Sequence, residues 1–281
     1  MNYRAFDRLI AGQATSDGAG VRLRRSLGQT QFARLDPFLM LDEFRSDRSD
    51  DYIAGFPAHP HRGFETVTYM LAGRMRHKDH LGNEGVIEGG GVQWMTAARG
   101  IIHSEMPEQD SGLMHGFQLW INLPAAEKMK DPAWQDIPAA HIPETAIEGG
   151  TVRIIAGEFA GTQGAINGVN TEPLYLDVSL QPGSAFELPL PDERNAFIYV
   201  FEGSVDNATA SGHPSASTGM AAIFSGGDAV KLHAGDDGAR FLLLAARPLR
   251  EPVVQYGPFV MNSREEIEQA ILDYQAGRFG R

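Results

Sequence analysis

Four side chains able to bind a metal fall in two short pairs, His59-x-His61 and His103-x-Glu105. Imidazole nitrogens and carboxylate oxygens are donors for first-row divalent cations. Three neutral imidazoles and one carboxylate leave one or two coordination positions open for a substrate or O2. In a β-strand the side chains at i and i+2 share a face, roughly 7 Å apart. Each pair therefore offers two donors to one cavity, and two such pairs on neighbouring strands converge on a point. A single strand histidine also serves as a hydrogen-bonded core residue, and His-Pro-His can close a loop as a turn. Two ligand-type pairs in one segment weigh toward a metal site.

The stretch between and after the pairs supplies the strands. TVTYML, RMRHKDH, VIEGGGVQWMT, RGIIHSEMP and HGFQLWINL alternate or run apolar between Gly-rich turns, with LGNEG as a hairpin turn. Many short strands at regular spacing predict an all-β barrel or sandwich rather than βαβ units. Glu65 continues the parity of 59, 61 and 63, which leaves it either a ligand or a structural or supporting residue. His77 and His80, in the charged RHKDH hairpin, are expected to face solvent. His115, with the parity of Phe117 and Leu119, is a candidate to line the barrel.

HPHRGFETVTYML, GGGVQWMTAARGIIHSEMP and GFQLWINLP resemble the signature blocks of the pirin family, a branch of the cupin superfamily. The resemblance implies a bicupin: two antiparallel, jelly-roll-like β-barrels, one loaded with metal and one empty. The family's ligand positions fall on His59, His61, His103 and Glu105, none of them substituted. One divalent metal is implied, Fe(II) first, with Mn, Ni, Cu or Zn as alternatives. Some pirins cleave the flavonol quercetin with O2 and release carbon monoxide. Carried over, that activity makes Glu105 the catalytic base for the flavonol 3-hydroxyl, with a small aromatic substrate and O2 as partners. Other pirins are described as metal-dependent proteins that bind a transcription factor or metabolic enzyme, so a regulatory role with a protein partner is the competing expectation. Phe56, Trp94, Met106 and Phe117 could hold a flat substrate, but a barrel core needs the same residues, and no site role is assigned to them.

With 281 residues, 42% hydrophobic and 21% charged, the chain has room for two soluble domains. The absence of cysteine excludes disulfides and thiolate chemistry. A formal net charge of −12 argues against direct nucleic-acid or anionic-membrane binding. The one basic stretch, VRLRRSLG, is expected to place Arg22, Arg24 and Arg25 on a solvated strand edge. No window has the apolar length of a signal peptide or membrane span, and the expected location is cytoplasmic, as a monomer.

The expected division is a metal-binding cupin at 1–123, a Pro- and Ala-rich linker at 124–145 with His141 exposed, and a second cupin with a C-terminal helix at 146–281. YMLAG at 69–73 matches YVFEG at 199–203. The same offset sets Pro189, Pro191 and Asn195 opposite His59, His61 and Glu65, and a weaker echo sets Lys231 and His233 opposite His103 and Glu105. On this register the second copy has lost its ligands. His213 and His233 are not expected to ligate, His233 being at most a polar group inside the empty barrel. At the C-terminus Ile267, Ile271 and Tyr274 recur at helical spacing, and Asn262-Ser263 before Glu265-Glu266 is an N-cap signal.

Overall fold

A computed structural model of the chain describes residues 1–30, 33–166, 171–207 and 214–280; His213 lies outside them. Among the described residues the protein is all-β, apart from short 3-10 turns and one α-helix, Arg264–Gln275. It is a bicupin. Its two units comprise residues 14–141 with 249–281, and residues 1–13 with 142–248.

The first of these units, which bears the candidate ligands, is built on two sheets. A seven-stranded sheet runs in the order Ala133–Ile137, Val92–Thr96, Phe64–Ala72, Met114–Asn122, Phe38–Ser46, Val21–Arg25, Gln13–Asp17. A four-stranded sheet runs Phe56–His61, Ile101–Pro107, Arg74–Asp79, Glu84–Glu88. Phe56–His61 is an edge strand, and this explains how Pro57 and Pro60, with no N–H to donate, sit in a sheet. Between the sheets, Val21, Leu23, Phe44, Met70, Met75 and Met114 pack as an apolar plug.

Gly63 carries the chain from the four-stranded to the seven-stranded sheet. Its φ is +89°, and a Cβ there would run into the Val260 carbonyl oxygen. Lys128, fully buried, fixes the same point by donating from Nζ to Gly63 O (2.5 Å), Asn122 Oδ1 (2.5 Å) and Val260 O (3.0 Å). Arg62, also buried, donates to Arg99 O (2.6 Å), pairs with Asp273 of the helix (2.9 Å) and lies 4.6 Å over the Phe279 ring. The residues that follow His61 are thus anchored on both sides.

The helix starts at a capping box, in which Ser263 Oγ accepts from the Glu266 N–H and Glu266 Oε2 accepts from the Ser263 N–H. Ile267 and Ala270 are buried against Phe259, Met261 and Phe279, Ile271 packs half-buried beside them, and Tyr274 is exposed. Tyr274 lies at the rim of the expected apolar face, its ring edge-on to Phe279 at 5.6 Å.

In the other unit one large antiparallel sheet closes over a core that includes Phe186, Leu188, Val230, Leu232, Ala234 and Phe241. Ala185–Pro189 pairs with Ala229–Ala246 so that Glu187 faces Lys231 and Ala185 faces His233. Along this ladder Phe186, Leu188, Val230, Leu232 and Ala234 turn inward, whereas Lys231 and His233 remain half-exposed. Lys231 pairs with Glu187 (3.5 Å), which also accepts from Tyr3 Oη (2.6 Å). The sequence register, which set Lys231 and His233 at ligand positions, is off by an odd step. The inward positions carry hydrocarbon, which cannot bind a metal, and His233 is not inside the barrel.

Phe6–Ala11 pairs with Met220–Phe224 and belongs with residues 142–248, while residues 249–281, helix included, group with 14–141. The stretch expected as a linker supplies a paired strand, Ala133–Ile137, and the buried Lys128 to the ligand-bearing unit. His141 is exposed as expected.

Candidate metal centre

Phe56–His61 and Ile101–Pro107 pair antiparallel with His59 directly opposite His103. One potential ligand nitrogen from each of His59, His61 and His103 lies within 4.8 Å of the other two. His59 Nε2 and His61 Nε2 are 3.0 Å apart. Two nitrogens bound at right angles to one cation at bonds of about 2.1 Å would be separated by about 3.0 Å.

The hydrogen bonds identify the lone pairs. His59 Nδ1 is 2.8 Å from Pro57 O, which can only accept, so Nδ1 carries the hydrogen and Nε2 is free to ligate. His103 Nε2 is buried with no hydrogen-bond partner, an orphan that a cation would satisfy. Burial, reinforced by the neighbouring imidazoles, holds His61 and His103 well below the usual imidazole range, so both are neutral, as ligands must be. The donor set fits a divalent transition metal.

Glu105 is not within that cluster. A bulge separates it from His103, and its Oε1 accepts a hydrogen bond from Thr68 Oγ1 (2.8 Å). It still lines the same cavity as His59 and His61.

That cavity, about 700 Å³, has apolar walls that include Leu23, Leu39, Met40, Phe44, Phe56 and Trp120. Asp42, Gln118 and Arg25 add polar groups. Arg25 grips Asp42 through Nε (2.8 Å) and Nη2 (2.7 Å) and reaches Asp17 (2.9 Å). Of the three arginines expected on a solvated edge, Arg22 and Arg24 are exposed, whereas Arg25 turns to the cavity with the parity of Val21 and Leu23.

Several other expectations turn on which face of the seven-stranded sheet looks into the cavity. Thr68 reaches Glu105 and Gln118, so even-numbered positions of Phe64–Ala72 and Met114–Asn122 face inward. Glu65 therefore points away. The turn at Gly63 breaks its parity with His61, and its Oε1 accepts from Thr96 Oγ1 (2.7 Å) while burial pushes its carboxyl up. His115 also points away, buried against Glu43 at 2.9 Å, instead of lining the cavity. Phe117 and Trp94 share that outer face, in register with Tyr69 and Val67; of the four candidate lining residues only Phe56 lines the cavity.

His77 is the principal residue that sequence reasoning missed. It is fully buried rather than solvent-facing, stacks on Trp134 (5.1 Å, 20°), and its Nδ1 lies 3.3 Å from His103 Nδ1. The signal was present in R-M-R-H-K, whose alternation puts His77 on the face of buried Met75. His80 is exposed as expected.

A family model described as Pirin matches residues 20–121, and one described as Pirin C-terminal cupin domain matches 175–280. The chain belongs to the pirin family. A pirin-like protein of Caulobacter vibrioides is 54% identical over 282 residues, covering 99% of this chain and 100% of that relative. Among solved structures, a quercetin 2,3-dioxygenase from Acinetobacter baumannii superposes with a TM-score of 0.90 at 35% identity, covering 99% of each chain. The Escherichia coli pirin YhhW, solved with nickel(II), shares the fold at 21% identity and a TM-score of 0.66, over 86% of this chain and 98% of that one.

Proposed function

We propose that this pirin-family chain is a metal-dependent dioxygenase that cleaves a flavonol, or a flat polyphenol like it, with O2. The observation that carries the reading is a largely apolar cavity of about 700 Å³ opening onto His59, His61 and Glu105. The likeness to the Acinetobacter dioxygenase supports it.

His59, His61 and His103 would hold one divalent metal, Fe(II) by family resemblance, with Mn, Ni, Cu or Zn as alternatives, and Glu105 would be base and fourth donor. Such a cation, when bound, polarises a hydroxyl of the substrate and supplies the electronic coupling to O2 that closed-shell organic molecules lack.

The protein's own groups do the rest. The walls at Leu39, Met40, Phe44 and Trp120 hold the flat rings and exclude water. Thr68 engages Glu105 Oε1, which leaves Oε2 to take the proton of the flavonol 3-hydroxyl. Arg25 and Asp42, also on the cavity wall, offer a donor and an acceptor to the hydroxyls of the distal ring. Both oxygens of O2 enter the opened product and one ring carbon leaves as carbon monoxide.

The test is oxygen uptake by metal-reconstituted protein with quercetin, followed alongside loss of flavonol absorbance and CO release. Equimolar O2, flavonol and CO are expected. No uptake above free metal, across Fe, Mn, Ni and Cu and several polyphenols, would contradict the reading and transfer the centre to a regulatory role.

A further inference from the structure

We infer that His77 is a positioning residue for the metal centre: its Nδ1 accepts the His103 Nδ1 hydrogen and so holds His103 in the one tautomer that can ligate. The inference rests on the proposed three-histidine site and extends it to a residue outside the ligand set.

A neutral imidazole has one N–H, on one nitrogen or the other. The two Nδ1 atoms face each other at 3.3 Å inside the protein, so one of them must carry the hydrogen and the other the lone pair. If His77 donates, the His103 hydrogen is forced onto Nε2, the other ring nitrogen, and His103 has no lone pair left for a cation. If His103 donates, Nε2 is left with its lone pair. His77 then carries its own hydrogen on Nε2, which is buried without a partner. Its ring is held in place by the stack on Trp134 and by the Arg74–Asp79 strand, where it sits directly opposite Glu105. Ligating histidines commonly give their second N–H to a carboxylate, carbonyl or water, and that partner orients the ring. Among the described residues the partner in hydrogen-bond reach of His103 Nδ1 is His77.

The arrangement also gives a purpose to Trp134. The strand that carries it comes from a stretch whose composition reads as linker, yet its ring fixes the plane of His77. Trp134 acts on the metal through two imidazoles in series.

The test compares His77→Asn with His77→Leu in the full chain. The two side chains are similar in size and both lose the stack on Trp134, but Asn sets an oxygen close to where His77 Nδ1 was. Co(II) and Ni(II) affinities are measured by titration against a chelator, together with the visible absorption of the Co(II) form. His77→Leu should weaken binding by about 10–100-fold and alter the Co(II) bands. His77→Asn should stay within about threefold of wild type and keep the bands. If His77→Leu does not fold, His77→Phe, which keeps a flat ring on Trp134 without a nitrogen, takes its place with the same expectation. Equal affinities and spectra in the Asn and Leu (or Phe) variants would overturn the inference while leaving the metal site standing. A wild type that binds neither cation would overturn the metal site itself.

Discussion

Glu105 accepts a hydrogen bond from Thr68 at 2.8 Å and lies outside the cluster formed by His59, His61 and His103. In the proposed reaction its free Oε2 is the base. Glu105→Gln keeps the size and an oxygen but loses basicity. In steady-state assays with a flavonol its turnover should fall by about 10²–10⁴-fold, with a much smaller loss of bound metal. Equal activity per bound metal in the two proteins would remove the base assignment.

His61→Ala should strip metal without unfolding the unit. His61 projects from an edge strand whose neighbours are anchored independently, Arg62 by Arg99 and Asp273 and Gly63 by Lys128. Metal content after dialysis should drop by at least about tenfold while the circular dichroism spectrum and the melting temperature of the chelated protein are kept. Undiminished metal would take His61 out of the ligand set, and global unfolding would mark the metal as structural.

Gly63→Ala tests the turn that separates the two sheets. A Cβ would meet the Val260 carbonyl, and the positive φ adds strain, so a loss of about 1–3 kcal/mol in denaturant unfolding is expected, with weaker metal binding because His61 is two residues away. A stability equal to wild type would show that the turn relaxes freely.

Lys128 gives a pH signature. Burial lowers its ammonium from the usual 10.5 to about 8. Between those values the unfolded chain binds more protons than the folded one, so its contribution to stability rises with pH from about 8 to 10.5 and is lost as pH falls back. Chelated wild type should therefore gain stability relative to Lys128→Met across that window in urea titrations. A constant difference would show that the folded and unfolded pKa values are the same.

How much of this was legible in the sequence depends on how local the determinant is. The His-x-His and His-x-Glu pairs followed from strand periodicity, and antiparallel pairing of their strands did bring three imidazoles together. The capping box at Ser263 and Glu266 was equally local. His77 and Arg25 were misassigned because charged neighbours outweighed a parity signal that was present in both strands. Lys128 and Trp134 were hidden in a stretch whose Pro and Ala content masks a paired strand. The grouping of residues 1–13 and 249–281 depends on long-range strand pairing and helix docking, which no local pattern encodes. In the second barrel, a match at YMLAG and YVFEG could not fix the register of strands one turn away, where an odd step exchanges inward for outward side chains.

The most direct test of the central claim is anomalous diffraction from crystals of the chain reconstituted with Fe(II) or Ni(II). One peak per chain is expected, at bonding distance of about 2.1 Å from the Nε2 atoms of His59, His61 and His103, and none among the hydrocarbon side chains inside the other barrel. A principal peak away from those three nitrogens, or a second of equal height in the other barrel, would contradict the account.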